Sequence, residues 1–150
     1  MKITTEQIKN LRDKTKSSIS DCKEALEKTK GNTAKALQYL TQKGAEILKK
    51  KGQRSTQNGI ITSYIHSDKK IGVLLELVCE TDFTAKTEDF QNLAKELCLQ
   101  IAAGNPKDIK ELLSQSYIRD EKIIIADLVK IVVGKIKENI KINKFCRYQI

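Results

Sequence analysis

The sequence has little of what metal sites and covalent catalysis need. Among its 150 residues His66 is the only histidine, and the four cysteines are far apart and form no CxxC pair. Zinc sites use closely spaced Cys and His ligands, and a nucleophilic Ser or Cys needs a neighbouring base, most often His. His66 itself is predicted to be a surface residue of a strand. The sequence therefore predicts no metal and no cofactor.

Other catalytic patterns are missing too. The only candidate for a phosphate-binding loop, Gly134 with Lys135, is followed by Ile136 and lacks the earlier glycine of GxxxxGK[ST]. The carboxylates Glu80 and Asp82 have no partner array for acid/base work, so Asp82 is interpreted as a turn and capping residue. The sequence thus favours a protein that acts by binding over an enzyme.

Long apolar runs are also absent. No run approaches the roughly 20 residues that span a bilayer, and nothing near Met1 resembles a signal or transit peptide. We therefore expect no membrane association and a cytoplasmic protein. In a reducing compartment Cys22, Cys79 and Cys98 are predicted to be buried as small hydrophobic residues, whereas Cys146 lies in a strand-like stretch near the C-terminus.

The charge is strongly positive, at +9, with 28 Lys and Arg against 19 Asp and Glu. Such a charge could bind nucleic acid or steer the protein toward an acidic protein partner. The lysines are spread along the chain among acidic residues, and aromatic residues, which stack on bases, make up only 5%. We favour a protein partner without direct nucleic-acid contact, and keep a basic RNA-associated protein as the alternative.

Three short helical patterns occupy residues 1–44. Their predicted limits are N-caps at Thr4, Ser20 and Asn32 and ends at Thr15, Gly31 and Gly44. Helices this short bury their apolar faces only by packing together, which predicts a three-helix bundle. Residues 45–58, first lysine-rich and helix-prone and then polar, are predicted to be a linker.

Residues 59–150 predict a small sheet packed with helices. Strands at 59–66 and 71–80 flank a polar turn and form a hairpin, and residues 139–150 are predicted to add a strand to it. Apolar positions from Phe90 to Ile101 repeat at helical spacing, with Thr87 as N-cap and Gly104 as the end. Further helices are predicted at 108–113 and 125–138. The fold class is α+β, with an N-terminal helical bundle, a linker helix and a small antiparallel sheet covered by helices.

The stretch CETDFTAK, residues 79–86, leaves the role of Phe83 open on spacing alone. Phe83 lies seven residues before Phe90 and so could continue its buried stripe. Two features favour an exposed ring: Thr87 starts the helix, which leaves Thr81 to Lys86 as a turn, and the preceding strand VLLELVC already fills the buried face of the sheet.

Three stretches carry a resemblance to a known family. LRDKTKSSISDCKEALEKTKGNTAKALQYLTQKG resembles the ubiquitin-associated-like (UBA-like) N-terminal domain of elongation factor Ts. GVLLELVCETDFTAKTEDFQNLAKELCLQIAAGNP resembles that family's core with its Thr-Asp-Phe-Val signature, and ENIKINKFCRYQI resembles its last strand. The order of the three stretches over nearly the full chain identifies the protein as a member of this family.

The resemblance implies a translation elongation factor that exchanges guanine nucleotide on elongation factor Tu, binding its GDP-bound and nucleotide-free forms. In the family, the signature enters the GTPase near its magnesium and its phenylalanine wedges between helices. The residues that would displace magnesium are Thr81, Asp82, Phe83 and Thr84. Those that would bind the partner from the helical bundle are Ile19, Ser20, Asp21, Cys22 and Lys23.

This chain departs from the family in three places. Thr84 replaces the signature's valine, and residues 15–20, TKSSIS, replace Thr-Gly-Ala-Gly-Met-Met, which removes both glycines and leaves Ile19 as the main apolar side chain. The core after Pro106 is short, which indicates a minimal monomer or a homodimer in which Cys146 lies near the two-fold axis.

Two alternatives remain open from the sequence. The stretch SYIH and the lysine- and isoleucine-rich composition resemble plastid-type members, which predicts the plastid stroma as the alternative location, with synthesis inside the organelle. A generic module whose three helices bind some other helix or peptide is the alternative function.

Overall fold

A computed structural model describes residues 2–150, which form helices and two small antiparallel sheets. The helices are α1 (Thr5–Thr15), α2 (Ile19–Lys28), α3 (Thr33–Lys51), α4 (Asp82–Ala85), α5 (Glu88–Gly104), α6 (Ile109–Ser114) and α7 (Ile125–Ile136). The strands are β1 (Asn58–Ile65), β2 (Ile71–Cys79), β3 (Ser116–Tyr117), β4 (Asp120–Ile124) and β5 (Ile140–Gln149). The predicted α+β class is confirmed.

The first three helices form the predicted bundle. Thr4 and Gln7 close the predicted capping box on α1, and Asn32 caps α3 through its side chain. A small buried cluster holds the bundle together: Leu11, Cys22, Ala25, Leu26, Ala36 and Leu40. We call residues 2–44 the head.

Two predicted helix limits in the head are wrong. Ser18, not Ser20, caps α2, because the Ser18 hydroxyl accepts from the backbone N–H of Asp21. Gly44 does not end α3, which continues to Lys51. Gly44 instead allows a close helix crossing: a Cβ built on it would overlap the Lys130 carbonyl oxygen of α7.

The rest of the chain is built around a sheet with the strand order β1, β2, β5, all antiparallel. The hairpin and the added last strand are therefore confirmed. β2 lies in the centre, and its inward residues Val73, Leu75, Leu77 and Cys79 are buried against α5. The predicted stripe of α5, with Phe90 the largest member, fills the same cluster.

The second half of α3 ties the head to this core. Ile47 and Leu48, in the second half of α3, pack against the core cluster, so α3 carries apolar contacts of both clusters. The short sheet of β3 and β4, which the sequence did not predict, precedes α7. Its two strands lack the apolar alternation that marks longer strands.

Candidate functional site

Phe83 lies on the surface, on the short helix between β2 and α5. Its side chain is 80% exposed, whereas Phe90 one element later is 0% exposed. The ring therefore does not continue the buried stripe of α5, and its predicted exposure is confirmed. An aromatic ring so exposed gains nothing from the core, which makes it free to pack against a partner.

Residues 81–86, which we call the Phe83 segment, form a short helix and not the predicted turn. Thr81 caps α4 by accepting from the backbone N–H of Thr84 at 3.2 Å, so the capping role predicted for Asp82 belongs to Thr81. Asp82 instead pairs with Lys86 at 2.7 Å on the surface, where such pairs contribute little stability. Thr84 and Ala85 face inward and are buried, which anchors one side of α4.

Glu138 is a residue of this site that the sequence did not reveal. It follows α7 and accepts hydrogen bonds from both Thr81 and Thr84. Burial alone would raise the pKa of the Glu138 carboxyl, but the hydrogen bonds from Thr84 and Thr81 outweigh it and hold the pKa below its ordinary value. No signal in the sequence could have found this contact, because more than fifty residues separate the partners.

Cys79 supports the same segment from the end of β2. Burial raises the pKa of its thiol to about 11, so the thiol keeps its proton at neutral pH. The thiol donates to the carbonyl oxygen of Thr81 at 3.2 Å. Cys79 is thus a buried structural residue, as predicted, and Cys22 and Cys98 are buried as well.

The loop between α1 and α2 keeps a sharp turn without the family's glycines. Lys16, which stands at the first glycine position, has a φ of 56° in the left-handed region. This conformation costs a non-glycine residue about 1 kcal/mol. Ser18, at the second glycine position, supplies the N-cap of α2. The loop therefore places Ile19 at the start of α2, where its side chain is 59% exposed.

The five head residues predicted to bind a partner differ in accessibility. Ile19, Ser20 and Lys23 are exposed. Asp21 pairs with Lys43 of α3 at 2.8 Å, and the Cys22 side chain is 0% exposed. A partner that approaches this surface would touch Ile19, Ser20 and Lys23, while Asp21 and Cys22 hold α2 in the bundle.

Lys135 of α7 links the loop between α1 and α2, which we call the head loop, to the first turn of α5. Its ammonium nitrogen lies 2.6 Å from the carbonyl oxygen of Lys16 and 2.8 Å from Asp89 in the first turn of α5. Lys16 precedes Ile19 by three residues, and Asp89 follows Phe83 by six. One lysine thus fixes the head loop against the start of α5, the helix that follows α4.

Cys146 lies on the outer face of the three-stranded sheet and is exposed. It pairs with Leu74 of β2 in the register. Ile61, Ile65 and Tyr148 occupy three of the four positions diagonal to Leu74 on this face, and Lys144 occupies the fourth. Leu74 and the three apolar residues diagonal to it are exposed large hydrophobic residues. We call this set the outer sheet face.

Among residues 2–150 no group of three or more His, Cys, Asp or Glu is placed to hold a metal ion. Within the same range, no helix combines the length and the apolar character needed to cross a membrane.

A family model matches most of the core, and individual known proteins match nearly the whole chain. The family model described as Elongation factor TS matches residues 80–150, which include the Phe83 segment and Glu138. Elongation factor Ts of Oleidesulfovibrio alaskensis is 38% identical over 193 positions, covering 99% of this chain and 98% of the relative. The Petrotoga mobilis protein of the same name is 39% identical over 195 positions, covering 100% and 99%.

Elongation factor Ts of Prochlorococcus marinus is 39% identical over 194 positions, covering 99% of this chain and 89% of the relative. These alignments are longer than the 150 residues of this chain, so the relatives contain segments that have no counterpart here. Identity at this level over nearly the entire chain shows a common family. The chain belongs to the elongation factor Ts family of translation elongation factors.

Proposed function

We propose that this protein binds elongation factor Tu in its GDP-bound form and promotes exchange of GDP for GTP by displacing magnesium. The observation that carries the proposal is the Phe83 ring, 80% exposed on a helix whose opposite side is buried. A large apolar side chain held out from a fixed backbone is typical of a residue that enters a pocket on a partner. The protein then acts by binding, without covalent chemistry.

Faster release of GDP requires more than one contact with the partner. A thousandfold faster release of GDP needs the barrier to fall by about 4 kcal/mol. Burial of one Phe side chain contributes roughly 1.5–3 kcal/mol, so Phe83 cannot supply the whole change and the wider interface must contribute to it. Lys135 ties the loop between α1 and α2 to the start of α5, the helix that follows α4, and we expect Ile19 and Phe83 to bind the same partner.

Loss of magnesium from the partner explains why insertion of the Phe83 ring would accelerate release of GDP. A bound divalent cation is the largest local charge that holds the diphosphate in a GTPase site. A side chain that displaces it therefore weakens the nucleotide most. By linkage, the nucleotide and this protein weaken each other's binding, so incoming GTP releases the factor.

The test is stopped-flow release of a fluorescent GDP from elongation factor Tu at increasing concentrations of this protein. We expect the release rate to rise to a plateau that lies at least a thousandfold above the spontaneous rate. Strong RNA binding with a steep salt dependence, and no effect on GDP release, would instead favour the RNA-associated alternative.

The head contributes affinity in this proposal, and Ile19→Asp tests it. Removing an apolar contact and burying a charge should raise the half-saturating concentration about tenfold or more, with a small effect on the plateau rate. Ile118→Asp, which changes another exposed isoleucine, is the matched control and should behave as wild type. Equal effects of the two substitutions would show that the head surface at Ile19 does not bind the partner.

We further propose that the outer sheet face pairs with the same face of a second copy, with Cys146 near the two-fold axis. The face groups four exposed large apolar side chains around Cys146, beside the polar Ser63 and the Glu76–Lys144 ion pair. Such a group of apolar side chains is uncommon on monomeric soluble proteins, and an isologous pair needs only this one patch.

Light scattering tests the dimer. We expect twice the mass of the chain at micromolar concentration, a monomer for Leu74→Glu, and a dimer for Cys146→Ser, since apolar burial and not a disulfide would hold the copies together. Ile124→Glu, on β4 and outside the face, is the control and should stay dimeric. A wild-type chain that remains monomeric at high concentration would contradict the proposal.

A further inference from the structure

The carboxylate of Glu138 contacts the Phe83 segment at three points. Glu138 Oε1 accepts from the backbone N–H of Thr81 at 3.1 Å. Its Oε2 accepts from the hydroxyl of Thr81 at 2.8 Å and from the hydroxyl of Thr84 at 2.7 Å. Thr81 and Thr84 are the residues immediately before and after the pair Asp82 and Phe83. Glu138 therefore binds α4 on both sides of the exposed ring.

We propose that Glu138 is a positioning residue that fixes α4 and thereby orients the Phe83 ring for entry into the partner. The proposal rests on the exchange function proposed above and names a further residue on which that function depends. Glu138 need not touch the partner itself. Its effect reaches Phe83 through Thr81 and Thr84.

The helix α4 needs such external support. It has four residues, and a single helical turn is unstable alone because nucleation fixes several dihedral angles for one hydrogen bond. The Phe83 ring packs against little of the protein, so only the backbone of α4 can define its direction. Hydrogen bonds to an ionised carboxylate are about twice as strong as neutral ones, which makes Glu138 an effective anchor.

Glu138 is itself held in place by its neighbours. Asn139, 0% exposed, donates from its backbone N–H to Glu80 at 2.8 Å. Its side-chain Nδ2 donates to the carbonyl oxygens of Arg54 at 3.0 Å and Gly52 at 3.3 Å. Glu138 therefore lies on a segment that is hydrogen-bonded to the ends of α3 and β2.

The same contact gives Thr84 a role within this chain. Thr84 is 3% exposed, and a buried hydroxyl without a partner is costly. Its hydroxyl donates to Glu138, a bond that the valine of the family signature could not make. Thr84 is thus matched by a carboxylate of its own protein and needs no change in the partner to explain it.

The test compares Glu138→Ala and Glu138→Gln with Glu121→Ala, an exposed glutamate of β4, in the GDP release assay. We expect Glu138→Ala to lower the plateau rate about tenfold with little change in half-saturating concentration, because the rest of the interface is intact. Glu138→Gln should be intermediate, since an amide keeps only one acceptor oxygen, and Glu121→Ala should match wild type.

A double-mutant cycle with Thr84→Val separates positioning from general destabilisation. Glu138→Ala should cost less in the Thr84→Val background than in wild type, because one of the contacts is already gone. In the free protein, the amides of Thr84 and Ala85 should exchange with deuterium at least about tenfold faster in Glu138→Ala than in wild type.

The outcomes distinguish the two proposals. Unchanged amide exchange, or a plateau rate equal to that of Glu121→Ala, overturns the positioning role of Glu138 while exchange by wild type stands. Strictly additive effects of the two substitutions also overturn it. If wild type does not accelerate GDP release at all, the proposed function fails, and a positioning role in exchange fails with it.

Discussion

Phe83→Ala should remove most of the acceleration of GDP release and leave the protein as stable as wild type. The ring is 80% exposed, so its loss creates no cavity and costs little free energy of unfolding. Loss of a partner contact worth roughly 1.5–3 kcal/mol at the transition state should lower the plateau rate about 10- to 150-fold. The rate is measured by stopped-flow fluorescence and the stability by thermal and urea unfolding.

Phe90→Ala is the matched control, because it removes the same ring from a position that is 0% exposed. This variant should lose about 3–5 kcal/mol of unfolding free energy and much of its folded population. A Phe83→Ala protein that loses several kcal/mol of stability would show that the ring belongs to the core. A fully active and stable Phe83→Ala protein would remove the ring from the mechanism.

Gly44→Ala should destabilise the docking of the head on the core, against the usual effect of this substitution. In an unconstrained helix, replacing Gly by Ala stabilises by about 1 kcal/mol. Here the added Cβ would overlap the Lys130 carbonyl oxygen, and a backbone atom cannot rotate away as a side chain can. Gly134 lies across the same crossing, where a Cβ would be 3.3 Å from the Gly44 nitrogen, so α3 and α7 must separate.

We expect Gly44→Ala to lose about 3 kcal/mol of unfolding free energy, at the upper end of the cost of overpacking. Exchange should weaken as well, since the head loop moves away from Lys135. The control is Gly72→Ala in β2, where the added Cβ would meet only the flexible end of Ile65 at 3.1 Å and a small effect is expected. A stabilised Gly44→Ala protein would contradict the close crossing of α3 and α7.

Local signals explain which elements could be predicted from the sequence. The α5 stripe, the caps at Thr4, Asn32 and Thr87, and the hairpin all depend on residues close in the chain, and the structure has them as expected. The exposure of Phe83 followed from the same local reasoning, because the start of α5 at Thr87 excluded the ring from the stripe.

Long-range contacts explain which features of the structure could not be predicted from the sequence. A glycine in a helical pattern usually marks its end, but Gly44 remains in α3 because α7, some ninety residues later, needs the space. In the sequence Glu138 is an ordinary charged residue, and only the fold places it in contact with Thr81 and Thr84. Ser18 and Ser20 are equal candidates for an N-cap on residue type alone, and only the path of the loop through Lys16 decides between them.

Displacement of magnesium is tested most directly by measuring the acceleration of GDP release with magnesium present and again with a chelator. If the protein acts by displacing the ion, a chelator that removes magnesium beforehand already produces part of the acceleration. We therefore predict that the ratio of the plateau rate to the spontaneous rate is at least about tenfold smaller in the chelator than in magnesium. An equal acceleration in both conditions would contradict magnesium displacement, and no acceleration in magnesium would contradict exchange itself.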